Sequence, residues 1–244
     1  TWTNANKSGY IIQKFVILRD GKLIRTAEST LLTPRPLKPL PLDDWEPLVK
    51  DNKYAAITAQ ALYGDGFEVN LQQSDAVTIV NKVIETEQRY SFALFSADIS
   101  PAVAKASALW FTDKQVKKNE KYLYRIFTIH NSDTLKGSVF VGSNDKYILP
   151  KPLHVKAEGK GGVVSLRWDK LKSKYYTAYV VERSIDGKIF KAITDEPLTT
   201  ITPANAKKEL LYEYAVDSIT NTSMTYYYRV KGLTAFGETG PPSD

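Results

Sequence analysis

A chain of 244 residues and 27.4 kDa has room for one large domain or two of ordinary size, and 43% apolar with 25% charged residues argues for a packed core rather than disorder. Cysteine is absent and histidine occurs twice, which excludes disulfide scaffolds, zinc–thiolate and iron–sulfur centres and cysteine nucleophiles, and leaves little for histidine chemistry. The net charge of +6 is spread thinly, with 14 Lys and Arg against 11 Asp and Glu in residues 150–244 and 19 against 16 in 1–149.

Nucleic-acid binders concentrate basic charge on one face, and here the densest cluster, Lys170, Lys172 and Lys174, follows an aspartate. No nucleic-acid partner is expected. No run approaches 18 apolar residues and no basic-then-apolar leader opens the chain, so neither membrane insertion nor a signal peptide is expected.

Taken in chain order, strands are predicted near 10–18 and 22–29, around the turn Asp20-Gly21-Lys22. Residues 31–106 do not read as β structure. Proline recurs at every second or third position from Thr33 to Pro41, which favours an extended conformation. Asp43 and Asp44 suit the start of a short helix around Trp45–Lys50. Asn52 caps a predicted helix through Leu62, ended by Gly64 and Gly66. Ser74 caps a longer one with Asp75 in its first turn and Val77, Val80, Val83 and Ile84 at helical spacing. Ser100-Pro101 is a cap followed by proline at the first helical position.

Strands return at Ser107–Asp113, Lys121–Ile129 and Val139–Leu149, and Pro150-Lys151-Pro152 reads as a short, stiff linker. From there the pattern is strand throughout. Leu153, Val155 and Ala157 alternate with polar residues, as do Val164, Leu166 and Trp168. Tyr179, Val181 and Arg183 precede an Asp186-Gly187 turn, and Leu211–Val216 and Thr225–Gly232 supply two more strands. Short strands at this spacing in about 95 residues argue for an antiparallel β-sandwich.

An internal repeat links the halves. Trp168 and Gly187 match Trp2 and Gly21 at an offset of 166, as Tyr176 and Val181 match Tyr10 and Phe15. Tyr226-x-Tyr228-Arg229 matches Tyr122-x-Tyr124-Arg125, and Leu211–Asp217 matches Ser107–Asp113, both at an offset of 104. The two offsets differ by 62 residues, the size of an insertion in the first copy. By this logic Trp2 and Trp168 are both core residues.

Trp168, Tyr179-x-Val181-x-Arg183, Tyr226-x-Tyr228-Arg229-Val230 and the closing Phe236-Gly237-Glu238-x-Gly240-x-Pro242-Ser243 together resemble a fibronectin type III domain over residues 150–244. The resemblance implies a mainly β protein of two immunoglobulin-like sandwiches. Residues 1–149 would form the first, lacking its first strand and carrying the helical insert at about 31–106; residues 150–244 would form the second. It implies further domains of the same polypeptide at both ends, a secreted or cell-surface location of bacterial type, and spacing, adhesion or protein contact rather than catalysis.

No catalytic residue, cofactor or metal is expected. Glu85, Glu87 and Asp98 are the best carboxylate candidates for glycoside hydrolysis, yet residues 85 and 87 of a helix point about 200° apart. His130 and His154 carry no triad or metal spacing. Gly159-Lys-Gly-Gly162 leads into a strand rather than the helix a phosphate loop needs, and Gly64-Asp65-Gly66 lacks calcium-loop spacing. Asn6-Lys-Ser8 and Asn221-Thr-Ser223 fit the short N-glycosylation pattern. Most of the 15 tyrosines fall at strand positions, which leaves Trp45, Tyr54 and Tyr63 of the insert as the candidate surface for a protein or polysaccharide partner. Binding function is often grafted on loops of rigid scaffolds, which favours the insert as the binding element. The alternative is an accessory region of a larger secreted polysaccharide-degrading enzyme.

Overall fold

Alternating side chains build nine- and ten-residue strands β1 (Ile11–Arg19) and β2 (Lys22–Leu31), joined by the predicted Asp20-Gly21 turn. Both turn residues have positive φ, 49° and 75°, the two-residue geometry that matches strand twist. The computed structural model describes residues 2–65, 75–131, 133–171, 175–199 and 211–244, with the backbone alone for residues 75–84. The expectations at Gly66, Ser74, Lys172 and Lys174 lie outside the described residues, as do the side chains of Val77, Val80, Val83 and Ile84. The chain divides into two compact units, residues 1–147 and 148–244. Mainly β, it holds three antiparallel sheets among the described residues, and no described helix is long and apolar enough to cross a membrane.

In unit 1 a single four-stranded sheet runs β2-β1-β3-β4, with β3 at Glu120–His130 and β4 at Asp133–Gly142. Among the described residues of this unit that is the one sheet, where a pair was expected. Helices take the place of the second layer. Trp2–Ser8 forms α1 instead of the end of a strand, so Trp2 is not the strand-borne core residue that the repeat suggested. After a 3-10 turn at Leu42–Trp45 come α2 (Glu46–Asp51), α3 (Lys53–Tyr63), α4 (Asp75–Ile99) and α5 (Pro101–Ala106).

Local signals place these helices well. Asn52 Oδ1 accepts from the Tyr54 amide at 3.0 Å and Ser100 Oγ from the Val103 amide at 3.4 Å. The two caps also bond one another, Asn52 Nδ2 donating to Ser100 Oγ at 2.8 Å, which fixes the start of α3 against the start of α5. Trp45, Ala55, Ala59, Val103 and Ala106 form the helical core, where small residues allow close helix approach. The proline segment is stitched to β1 by a two-bond bridge, Tyr10 with Leu37, both at 2.8 Å.

Unit 2 has two three-stranded sheets, β5-β6-β9 and β10-β7-β8, sharing one core. The strands are β5 (Lys156–Lys160), β6 (Val163–Asp169), β7 (Ala178–Ser184), β8 (Lys191–Ala192), β9 (Tyr212–Ser218) and β10 (Tyr227–Leu233). Val164, Leu166, Trp168 and Ala215 from one sheet meet Tyr179, Val181 and Val230 from the other, with Tyr176 completing the cluster. Pro150–Pro152 is no linker: Pro152 is fully buried and Pro150 O accepts from Tyr176 Oη at 2.6 Å, so this segment belongs to the unit-2 core. The Asp186-Gly187 turn is wider than a two-residue hairpin, because Asp186 Oδ1 accepts from Ser184 Oγ and from the amides of Lys188 and Ile189. Those bonds pull the Asp186 carboxyl down to about 2.

The two units hold clusters of the same chemistry. In unit 1 Lys14 Nζ lies 2.8 Å from Asp113 Oδ2, Tyr124 Oη donates to the same oxygen at 2.8 Å, and the ammonium stands 5.2 Å from the centre of the Tyr122 ring. In unit 2 Arg183 Nη1 lies 2.8 Å from Asp217 Oδ2, Tyr228 Oη donates to that oxygen at 2.8 Å, and the guanidinium stands 5.5 Å from the Tyr226 ring. Asp113, Tyr122 and Tyr124 are 104 positions before Asp217, Tyr226 and Tyr228. Strand register completes the match, since Lys14 pairs with Tyr124 and Arg183 with Tyr228. It also sets the offset between β1 and β7 at 169 rather than 166, because β1 is two residues longer and carries a bulge between Val16 and Leu18.

Asp113 was expected in a strand at Ser107–Asp113; Ser107 closes α5 instead, and residues 109–113 are irregular. The reason is the missing neighbour. In unit 2 β9 is paired along its length by β6, and in unit 1 the described residues supply no strand in that place. The Asp113 cluster holds the segment all the same. Burial raises the Asp113 carboxyl, but the bonds from Lys14, the Gln115 amide and Tyr124 outweigh it and leave it below the ordinary range.

Removing Asp113 strands a buried ammonium, so Asp113→Ala is expected to cost about 3–5 kcal/mol in denaturant unfolding, and adding Lys14→Met should recover most of it. In unit 2 burial pushes the Tyr179 and Tyr228 hydroxyls up to about 12, aided at Tyr228 by its bond to Asp217. The folded unit keeps these protons where unfolded tyrosine, at 10.0, has lost them. Its stability is therefore whole below pH 10 and falls as pH rises from 10 to about 12, with tyrosinate absorbance and loss of circular dichroism rising together.

Candidate functional site

The sheet of unit 1 is covered unevenly. Ile12, Lys14 and Val16 of β1 are all buried. Their neighbours on β3, Ile126, Tyr124 and Tyr122, share that face, and Ile126 is 41% exposed. On β4 the same face shows Leu135, Val139 and Val141, at 60%, 52% and 40%. Between α1, α4, the proline segment, residues 108–111 and the open part of this face lies a cleft of about 1210 Å³. Its floor is Ile12 and Ile126, and its walls carry Trp2, Tyr90, Trp110 and Phe111. Trp2 and Tyr90 meet at 5.8 Å with planes tilted by 60°, and the Lys105 ammonium stands 5.2 Å from the Trp110 ring.

Polar groups are few. Lys7, Asn4, Thr86 and Glu87 stand at the cleft, and Tyr10 Oη donates to Asn6 Oδ1 at 2.9 Å. Trp2 Nε1 is buried without a hydrogen-bond acceptor among the described residues. Such a surface suits an apolar or aromatic-stacking ligand held by shape.

The insert aromatics fall elsewhere. Trp45 is 1% exposed, and its Nε1 donates to Leu40 O at 3.0 Å, so it is core and offers nothing to a partner. Tyr54 packs half-buried on the helical core, edge-on to Phe95 at 6.1 Å. Tyr63 is exposed but tethered to Leu40 O, and borders a second hollow of about 760 Å³ beside Lys38, Glu85 and Arg89. None of the three lines the larger cleft. Its aromatic residues come from α1, from Tyr10 just before β1, from α4 and from residues 110–111, segments far apart in sequence.

The carboxylate candidates do not converge. Glu85 is paired with Arg89 at 2.7 Å, and Arg89 also donates to Gln60 O, Ala61 O and Gly64 O, closing the end of α3. Glu87 faces the cleft, and Asp98 stands about 16 Å further along α4, beyond the spacing of a glycosidase pair. Burial alone pushes the Asp98 carboxyl up. His130 Nδ1 lies 3.2 Å from Ser8 Oγ, with no carboxylate hydrogen-bonded to it among the described residues, and His154 Nδ1 pairs with Asp169 Oδ2 at 2.7 Å on an exposed turn. Asn6 is engaged by Tyr10, whereas Asn221 sits in an exposed turn and accepts from the Ser223 amide. Among the described residues no three metal-capable side chains gather in one place. No family model and no curated protein matches the chain.

Trp45→Ala is expected to destabilise the helical core by about 3–5 kcal/mol while leaving ligand binding at the cleft unchanged wherever the protein stays folded; thermal unfolding and a binding isotherm separate the two.

Proposed function

We propose that this chain is a non-catalytic interaction module from a secreted or cell-surface protein, built of two fibronectin type III-like units and binding a protein partner through unit 1. The observation that carries the reading is the aromatic cleft on the open half of the unit-1 sheet. A soluble protein seldom leaves so continuous an apolar surface without use. In unit 2, supporting the family assignment, Trp168 stands edge-on to Tyr179 at 5.3 Å, Gly232 and Gly240 leave room only for the Tyr176 ring, and Thr234 anchors the Phe236-Gly237-Glu238 turn. In unit 1, β1 to β4 correspond to one sheet of such a sandwich, and the helices of residues 42–106 stand as the insertion between its strands.

A second reading, an accessory region that holds polysaccharide for a larger enzyme, draws on the half-exposed rings of Tyr90 and Phe111 beside Asn4 and Glu87. The test is a panel of surface proteins and soluble polysaccharides, read by biolayer interferometry against the wild type and a Tyr90→Ala/Phe111→Ala double variant. Both side chains are exposed, so the variant is expected to keep its thermal midpoint within a few degrees. A protein ligand bound at least tenfold more weakly by the variant supports the module reading. A polysaccharide lost in the same way supports the second. Ligands held equally by both proteins overturn the cleft as the site.

A further inference from the structure

The duplicated cluster allows the two units to be compared position by position. Lys14, Asp113 and Tyr124 stand for Arg183, Asp217 and Tyr228, so Ile12 stands for Val181, Ile126 for Val230 and Phe111 for Ala215. In unit 2 Val181 and Val230 are both 0% exposed, because Val164, Leu166 and Trp168 of β6 lie over them. In unit 1 Ile12 is covered but Ile126 is not, and exposure grows outward to β4. The helices and residues 107–117 thus do the work of β9 and stop there. No strand takes the places of β5 and β6 among the described residues; α1 packs on β3 there, and the cleft lies between it and residues 108–111.

Backbone chemistry agrees with this. In unit 2 Ala215 pairs with Leu166, Glu213 with Trp168 and Asp217 with Val164. Their counterparts Leu109, Phe111 and Asp113 belong to no strand, and no backbone–backbone hydrogen bond joins Phe111, Thr112 or Asp113 to any described residue. An open edge lies beside an open apolar face. An extended segment satisfies both at once, with ladder bonds to the edge and alternate side chains on the face.

We propose that the cleft is a strand-acceptor site whose occupant is a β-hairpin of a partner polypeptide with apolar residues at alternate positions, as Leu153–Trp168 covers the equivalent face of unit 2. The inner strand pairs antiparallel with residues 109–113 and sets its apolar side chains on Ile12 and Ile126. The outer strand covers Leu135, Val139 and Val141. This rests on the interaction-module reading and specifies its ligand.

The probe is a labelled synthetic peptide of residues 150–171, added to the whole 244-residue chain, whose own copy of that segment is already folded into unit 2. Saturable binding of one peptide per chain is expected, with slowed amide exchange at alternate residues of the 109–113 stretch, those whose N–H faces the added strand. Ile126→Asp should weaken binding at least tenfold. Leu135→Lys, at a side chain already 60% exposed and therefore harmless to folding, should weaken it severalfold. A peptide with Leu166→Ser and Trp168→Ser should not bind. No saturable binding, binding indifferent to both protein variants, or binding without protection at residues 111–113 overturns the proposal. A concentration-dependent dimer that protects those amides without peptide also overturns it, making a second copy the occupant. If a panel ligand binds through Tyr90 and Phe111 while the hairpin does not, the hairpin falls and the module reading stands; if cleft variants change no binding at all, that reading falls with it.

Discussion

Each unit is organised around one buried aspartate. In both, a carboxylate from outside the β1–β3 or β7–β10 strand pair accepts from a tyrosine hydroxyl and faces a cation, with a second tyrosine ring beside the cation. Four groups supply charge, hydrogen bonds and ring face to one another, which is what makes buried charge tolerable. Because the partners come from different layers, the cluster also fixes how far the second layer stands from the sheet. In unit 2 that layer is a sheet, and the cluster joins it to its mate. In unit 1 the irregular residues 109–117 join the helices in that layer, and the cluster ties them to the sheet.

From this anchor the rest of unit 1 follows. Glu120 lies at the other end of the same ring system, accepting from Tyr122 Oη and from Arg19 Nε, both at 2.7 Å, and Arg19 reaches on to Glu28 across the hairpin. The bond from Tyr122 first, and then Arg19, overcome burial and hold the Glu120 carboxyl below the ordinary range. A polar chain thus runs from β2 through β1 and β3 to residues 113–115. It ties the hairpin end of the sheet to that segment. Ile126 of β3 and Leu135, Val139 and Val141 of β4 leave an apolar surface open beside it. A rigid frame beside an open face is the arrangement a binding site needs.

What could be read from residue patterns was whatever depends on neighbours in the chain. Asn52, Ser100-Pro101 and Asp20-Gly21 act within three or four residues, and each is found where its pattern puts it. Alternation found β1, β3, β6, β7, β9 and β10, because one face of each is buried. Segments whose state depends on a distant partner were misread. Ser107–Asp113 carries the pattern of β9 but has no β6 to pair with, and Trp2 carries the position of Trp168 yet starts a helix. Trp45 looked unexplained because its partners, Ala55, Ala59 and Val103, are small and come from two other helices. The cleft was invisible for a related reason: no single segment contributes enough of it to leave a pattern.

The one difference between the two clusters, Lys14 in unit 1 and Arg183 in unit 2, goes with this difference between the units. Arg183 lies between two sheets, its side chain about a third exposed, and one nitrogen reaches both Asp217 oxygens at 3.1 and 2.8 Å. Lys14 is buried under residues 113–117, where its ammonium needs donors pointing several ways. It gives one to Asp113, one to Gln115 O at 2.6 Å, and sets its charge beside the Tyr122 ring. The three donors of an ammonium suit two acceptors that lie in different directions.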